Sequence, residues 1–273
     1  MQRQFACPQC YSVAGGAELQ RLRVGRHGDD LMNSGLLIFD LDGTLMDTRR
    51  DLCTGINLMR RHYGLAPLPV DTVAGYVGNG IRNLVARALQ DHQASRERCA
   101  QASPVDLDEA VRINYQCYCR HLHDETVLYP GVENGVHQLH AAGYILALIS
   151  NKPVEACREL LRYFKLAGLF SSVLGGDSVR ELKPHPEAVL ATLRSTRVDR
   201  TRTWMIGDHV TDLEAARRAG IKSVFVSYGI GAPGGEQPTQ KFTTFEALTQ
   251  YFTSISRRND VRGGTAPLNN LQR

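Results

Sequence analysis

A short apolar run, Leu36-Leu37-Ile38-Phe39, passes without a turn signal into Asp40-Leu41-Asp42-Gly43-Thr44-Leu45. Four apolar residues are too few for a helix and read as a buried strand. That strand delivers a pair of carboxylates at its carboxyl end, the edge at which open α/β sheets bind ligands. One acid can attack or hold a metal while the other moves protons. A calcium loop also opens on Asp-x-Asp-Gly, but it requires glycine at its sixth place and glutamate at its twelfth. Leu45 and Asp51 stand there, and a strand precedes the loop, so calcium binding is set aside.

The pattern beyond this point alternates. A helix is expected over about 48–63, and after a long helical stretch another over about 132–142. The strand 144–149, a helix near 153–163 and a short strand near 172–174 follow. Next come a helix near 186–194, the strand 203–206, a helix near 210–219 and the strand 222–226. Strands separated by helices of this length imply an α/β fold, a doubly wound parallel sheet with helices on both faces. Residues 49–127 interrupt the alternation: Ile81, Leu84, Val85, Ala88 and Leu89 keep a helical period, and no strand is evident. This block is expected to form a small helical domain inserted after the first strand, above the sheet edge.

Both ends are polar. Residues 1–34 show no sustained period and read as a poorly ordered extension, with Met32 a candidate for the true start. Residues 257–273 read as a tail. The formal charge of +4 is carried there: 1–34 hold +1 and 256–273 hold +3, which leaves 35–255 neutral. A nucleic-acid-binding face is therefore not expected. No apolar stretch reaches the length of a membrane span, and the polar start lacks a signal-peptide apolar region. A cytoplasmic protein with its seven cysteines reduced is expected. Cys117 and Cys119 fall on different faces of a helix and should not pair. Cys7 and Cys10 lack the second half of a zinc site, so metal is not expected there.

Other strand ends carry polar residues of matching chemistry. Strand 144–149 ends in Ser150-Asn151-Lys152, where a hydroxyl and backbone N–H groups can hold an anion. Lys183-Pro184 follows the short strand, and strand 203–206 ends in Gly207-Asp208-His209-Val210-Thr211-Asp212. Taken singly, these are helix caps, loops and turns. In the order acid pair, serine, lysine, acid pair, all at one sheet edge, they suit a magnesium ion and a phosphate.

These motifs, in this order over roughly 36–250, resemble the haloacid dehalogenase-like superfamily of aspartate-nucleophile phosphatases. The resemblance implies a sheet of order 5-4-1-2-3, with a phosphatase core over 35–48 and 128–256 and a helical cap over 49–127. It implies that Asp40 takes the phosphoryl group and that Asp42 acts as acid and base. Ser150, Asn151 and Lys183 would hold the phosphate. Magnesium would sit on Asp40, the backbone carbonyl of Asp42 and Asp208, with Asp212 nearby. Lys183 should offset phosphate charge and keep Asp40 ionised. His209 stands where a small hydroxyl residue is usual. It is expected to face solvent, the alternative being a contact behind the metal ligands.

Asp42 separates phosphoryl transfer from dehalogenation within this family, and the absence of lysine from 49–127 argues against Schiff-base chemistry. The stretches Val77-Gly78-Asn79-Gly80-Ile81-Arg82, Leu128-Tyr129-Pro130-Gly131-Val132 and Gly175-Gly176-Asp177 resemble phosphoglycolate phosphatases. The expected partner is thus a small phosphorylated metabolite, 2-phosphoglycolate foremost, with a sugar phosphate or pyrophosphate as alternatives. Gly78, Asn79, Gly80 and Arg82 are expected to read its carboxylate. The protein is expected as a monomer or homodimer. A non-catalytic regulatory protein is the rival from another class, weakened because Asp40, Asp42 and Lys183 are all present.

Overall fold

In the computed structural model, which describes residues 35–90 and 105–263, the alternation becomes a six-stranded parallel sheet. Its strands are β1 (Gly35–Phe39), β4 (Tyr144–Ile149), β5 (Phe170–Leu174), β6 (Thr203–Gly207), β7 (Lys222–Val226) and β8 (Gln240–Phe242). The spatial order is β5-β4-β1-β6-β7-β8. This is the expected five-strand order with one further strand, β8, added at the outer edge. A second, two-stranded sheet pairs β2 (Met46–Asp47) with β3 (Val127–Leu128) antiparallel.

Alternate residues of each strand face opposite layers, and two buried clusters follow from that period. Leu37, Phe39, Leu146, Leu148, Trp204 and Ile206 share one face, and Leu36, Ile38, Ala147, Ile149 and Met205 share the other. The second face is covered by α7 (Glu187–Thr196) and α8 (Val210–Ala219), through Val189, Leu193, Ala215 and Ala216. On the first face lie α5 (Val132–Ala141), α6 (Val154–Tyr163) and α9 (Phe245–Gly263), which buries Phe245, Leu248 and Phe252.

Residues 49–127 form α1 (Arg49–His62), α2 (Val70–Ala74), α3 (Gly80–Gln90) and α4 (Leu107–Cys119). Their apolar stripes, including Ile56, Met59, Val85 and Val111, join the same buried cluster as the first sheet face. Asp51 braces the return to the sheet. Its carboxylate accepts from the N–H groups of Glu125 and Thr126 and from the Thr126 hydroxyl, at 2.7–3.1 Å.

Several expectations need correction. Residues 257–263 are not a tail, because α9 continues through Gly263. The β2–β3 pair gives 49–127 a strand residue at its end, Val127, too short to leave a periodic signal. The expectations for residues 1–34, Met32, Cys7 and Cys10 fall outside the described residues. Cys53, Cys117 and Cys157 are free thiols. Among the described residues, no helix is long and apolar enough to cross a membrane.

Candidate active site

All six strands point their carboxyl ends at one edge, and β1 lies between β4 and β6, where the direction of winding reverses. Such a reversal leaves a crevice above the strand ends. Asp40 opens into it directly after β1. Its N–H donates to the Ile206 carbonyl at 2.9 Å, and its side chain is buried. The chain then doubles back, with the N–H groups of Thr44, Leu45 and Met46 all donating to the Leu41 carbonyl. Gly43 makes this possible. It adopts φ +85°, and a Cβ there would stand 2.1 Å from Asp208 Oδ2.

The turn presents Asp42 to the same crevice. Thr48 Oγ1 donates to its Oδ1 at 2.6 Å, and Lys152 Nζ donates to its two oxygens at 2.9 and 3.0 Å. Lys152, from the Ser150-Asn151-Lys152 segment after β4, is buried and also lies 4.7 Å over the Tyr118 ring. Burial opposes its charge, but Asp42 and then Tyr118 outweigh that, and the ammonium titrates above the usual lysine range.

Lys183 is held from three sides. Its Nζ donates to the Ile149 carbonyl at 2.9 Å and to Asp212 Oδ1 at 2.7 Å, and lies 2.9 Å from Asp40 Oδ1. Asn151 ties its loop down: Oδ1 accepts from the Lys183 N–H, while Nδ2 donates to the Lys183 and Gly78 carbonyls, each at 2.9 Å. The Asn151 side chain is therefore a brace, which leaves its backbone N–H as the group available for an anion. Ser150 is buried beside it and lines the crevice.

Asp208 follows β6. Its Oδ2 accepts from the N–H groups of Ile230 and Gly231 at 2.8 Å each, and its Oδ1 from the Thr44 hydroxyl at 3.2 Å. Asp40, Asp208 and Asp212 each place a carboxylate oxygen within 4.8 Å of the others. Three buried carboxylates against one ammonium leave negative charge in excess, and an all-oxygen set suits a hard divalent cation. The residues present fit such an ion. Asp212 has both oxygens engaged, Oδ1 by Lys183 and Oδ2 by the His209 N–H at 3.1 Å, so it fits a supporting place better than a direct one.

The crowding shows in the titrations. Burial pushes the Asp40 carboxyl up to about 6 despite the pull of Lys183. Burial, then repulsion from Asp40 and Asp212, raises Asp208 to about 7.

A cavity of about 310 Å³ collects Asp40, Asp42, Ser150, Asn151, Lys183 and Asp208 on one side. Gly78, Gly80, Ile81, Leu84, Asn114 and Tyr118 line it from the helical segment. Three residues, Arg82, Asn79 and His209, stand elsewhere than expected. Arg82 is not at the cavity: it pairs with Asp108 of α4 and is 60% exposed. It sits one residue past Ile81, and on a helix a step of one turns the side chain by about 100°. Asn79 is likewise absent from the lining. His209 does not face solvent. It is half-buried, it lines the cavity, its Nδ1 lies 3.0 Å from the Thr211 hydroxyl, and burial lowers its pKa. A Cβ on Gly78, which adopts φ +110°, would meet its ring at 2.9 Å.

The sequence reading missed Lys152, Thr48, Asn114, Tyr118 and the 228–231 loop. That loop left a signal, since Gly229-Ile230-Gly231 lies just beyond β7 at the same sheet edge. Thr48 and Lys152 lay within motifs already singled out, but their contact depends on tertiary placement.

The fold and this edge define a haloacid dehalogenase-like hydrolase. The profile of that family matches residues 37–226, and the chain belongs to it. Its relatives narrow the class. A phosphoglycolate phosphatase of Psychrobacter arcticus is 37% identical over 232 residues, covering 84% of this chain and all of the relative. One from Chromobacterium violaceum is 38% identical over 191 residues, covering 70% of this chain and 84% of the relative. The solved structure of a predicted phosphoglycolate phosphatase from Haemophilus somnus superposes with a TM-score of 0.74 at 29% identity, covering 81% of this chain and 99% of its own. The protein is an enzyme, a hydrolase resembling these phosphatases.

Proposed function

We propose that the enzyme hydrolyses a small phosphate monoester through a phosphoryl group carried on Asp40, with 2-phosphoglycolate as its main substrate. The observation that carries the reading is the pairing at one crevice of a buried Asp40 beside Lys183 with an Asp42 held by Thr48 and Lys152. Asp40 attacks phosphorus, and the bond from phosphorus to the ester oxygen breaks as Asp42 gives that oxygen a proton. Asp42 then takes a proton from water, which attacks the aspartyl phosphate and frees Asp40. Lys183, the Ser150 hydroxyl and the backbone N–H groups of Leu41, Asp42 and Asn151 hold the phosphoryl oxygens, the Gly43 N–H being taken by the Met46 carbonyl.

Magnesium is the ion the oxygen set suits best, held by Asp40, the Asp42 carbonyl and Asp208, with Asp212 in support. Its contribution when bound is positive charge against the phosphoryl oxygens. Residues 49–127 act as a cap over the core formed by 35–48 and 128–256, and the enzyme works in the cytoplasm as a monomer or homodimer. The names of the relatives support the substrate.

Rates on a panel of phosphate esters, with magnesium and with a chelator, test the reading. The expected result is the highest kcat/KM on 2-phosphoglycolate and no turnover without the metal. A higher kcat/KM on a sugar phosphate would replace the substrate. No turnover of any ester would return the fold to a regulatory role.

A further inference from the structure

The cavity wall away from Asp40 and Lys183 holds an anomaly. α4 presents Ala110, Val111, Asn114 and Tyr118 as its buried stripe, and Asn114 is an amide in an otherwise apolar row. Asn114 is 3% exposed, lines the cavity, and its Oδ1 has no hydrogen-bond partner among the described residues. A buried polar atom left this way is costly unless something outside the chain completes it. Tyr118 lies one turn further along the same face, 2% exposed and also on the cavity wall. Across from it stands Lys152, whose ammonium rests over the Tyr118 ring and donates to Asp42.

From this geometry we infer that Asn114, Tyr118 and Lys152 form the subsite that binds the carboxylate of the substrate's non-reacting end. The inference rests on the phosphatase reading above and relocates the carboxylate contact from the exposed Arg82 to the inner wall. The lysine suits the task by charge: Lys183 already faces two carboxylates, Asp40 and Asp212, whereas Lys152 faces one, Asp42, beside the Tyr118 ring. An ammonium has three N–H donors, and Asp42 takes at most two. The Tyr118 hydroxyl can donate, and the Asn114 amide, turned about its last torsion, offers its N–H₂ where Oδ1 now stands, since a carboxylate has no proton to give that oxygen. Every donor is set in a mostly apolar wall of Leu52, Val77, Ile81 and Leu84, where a charged hydrogen bond is stronger than in water.

Tyr118→Phe keeps the ring over Lys152 and removes only the hydroxyl, and Asn114→Leu removes only a polar group from a buried row. Both variants should fold, which a melting curve checks. Each should raise KM for 2-phosphoglycolate by roughly ten- to a hundred-fold, the size of a lost charged hydrogen bond. KM and kcat for ethyl phosphate, which has no second anion, should hardly move. Glycolate should inhibit ethyl phosphate hydrolysis by the wild type, and that inhibition should weaken in both variants.

Equal changes on both esters, or unchanged 2-phosphoglycolate KM and glycolate inhibition, would overturn the inference and leave the phosphatase reading standing. If the wild type does not hydrolyse 2-phosphoglycolate, the substrate reading fails by itself. Glycolate inhibition lost in both variants would still establish the carboxylate subsite.

Discussion

On the sheet side of the cavity the charged groups have partners in the chain: Lys183 has Asp40, Asp212 and the Ile149 carbonyl, and Asp208 has the amides of Ile230 and Gly231. The wall from 49–127 is largely aliphatic, with Asn114 Oδ1 left open. The first arrangement fixes catalytic groups before substrate arrives, which is what phosphoryl transfer needs. The second leaves shape and a few polar atoms to choose among substrates. Changes on the sheet side should therefore alter kcat for every ester, and changes on the helical wall should alter KM for some.

The largest effect expected is on Asp40, the proposed nucleophile. Asp40→Asn should abolish turnover of all esters with the fold retained, since the amide has no charge to attack with. Asp42→Asn should cost about 10²–10⁴-fold in kcat, the share typical of a general acid and base. Single-turnover rates on two unlike esters check both variants, and wild-type-like rates in either would break the assignment.

Lys183→Met comes next. It leaves Asp40 and Asp212 buried without their cation, a change that typically costs about 3–5 kcal/mol. Denaturant unfolding of the metal-free protein should show that loss together with lost activity. A variant as stable as the wild type would mean the carboxylates neutralise themselves by taking up protons.

The same excess of negative charge gives a pH dependence in metal-free protein. Asp40 titrates near 6 and Asp208 near 7 in the folded chain, against 3.8 for the ordinary carboxyl. Between those values the folded chain holds protons that the unfolded chain has released, so stability falls as pH rises through that window. Melting temperature in chelator should drop from pH 5 to 7.5, and added magnesium should recover more of it at the upper end. A melting temperature that rises across this range would contradict the crowding of the three acids.

The sheet side was the more legible region because its residues sit at strand ends, where a short apolar run followed by an acid locates each one in three dimensions. Asp40, Ser150 and Asp208 could be placed together from spacing alone. Lys183, in a loop, needed the motif order. Strands of two or three residues, β2, β3 and β8, carry too little period to be seen. α9 was overlooked although Phe245, Leu248 and Phe252 recur at helical spacing, because the polar residues beyond 256 hid its continuation. On the helical wall the failure was rotational. A helix start is expected from the glycine-flanked stretch 78–82, and α3 begins there at Gly80, but which side chain turns inward depends on how α3 packs against α4.

Arg82 turns that lesson into the smallest effect expected. The sequence places a cation next to a glycine-flanked helix start, and a cation there would suit a carboxylate. The structure instead sets its guanidinium on the outside, 60% exposed and paired with Asp108, itself 77% exposed. An ion pair so open to solvent is worth about 0–1 kcal/mol and is screened by salt. Arg82→Ala should then change KM for 2-phosphoglycolate by less than about threefold, and no more than for ethyl phosphate. It should also lower the melting temperature slightly at low salt and not at high salt. A rise of tenfold or more confined to 2-phosphoglycolate would mean that Arg82 swings inward when substrate binds. The carboxylate would then be read at the start of α3, and the inner wall of Asn114, Tyr118 and Lys152 would need another role.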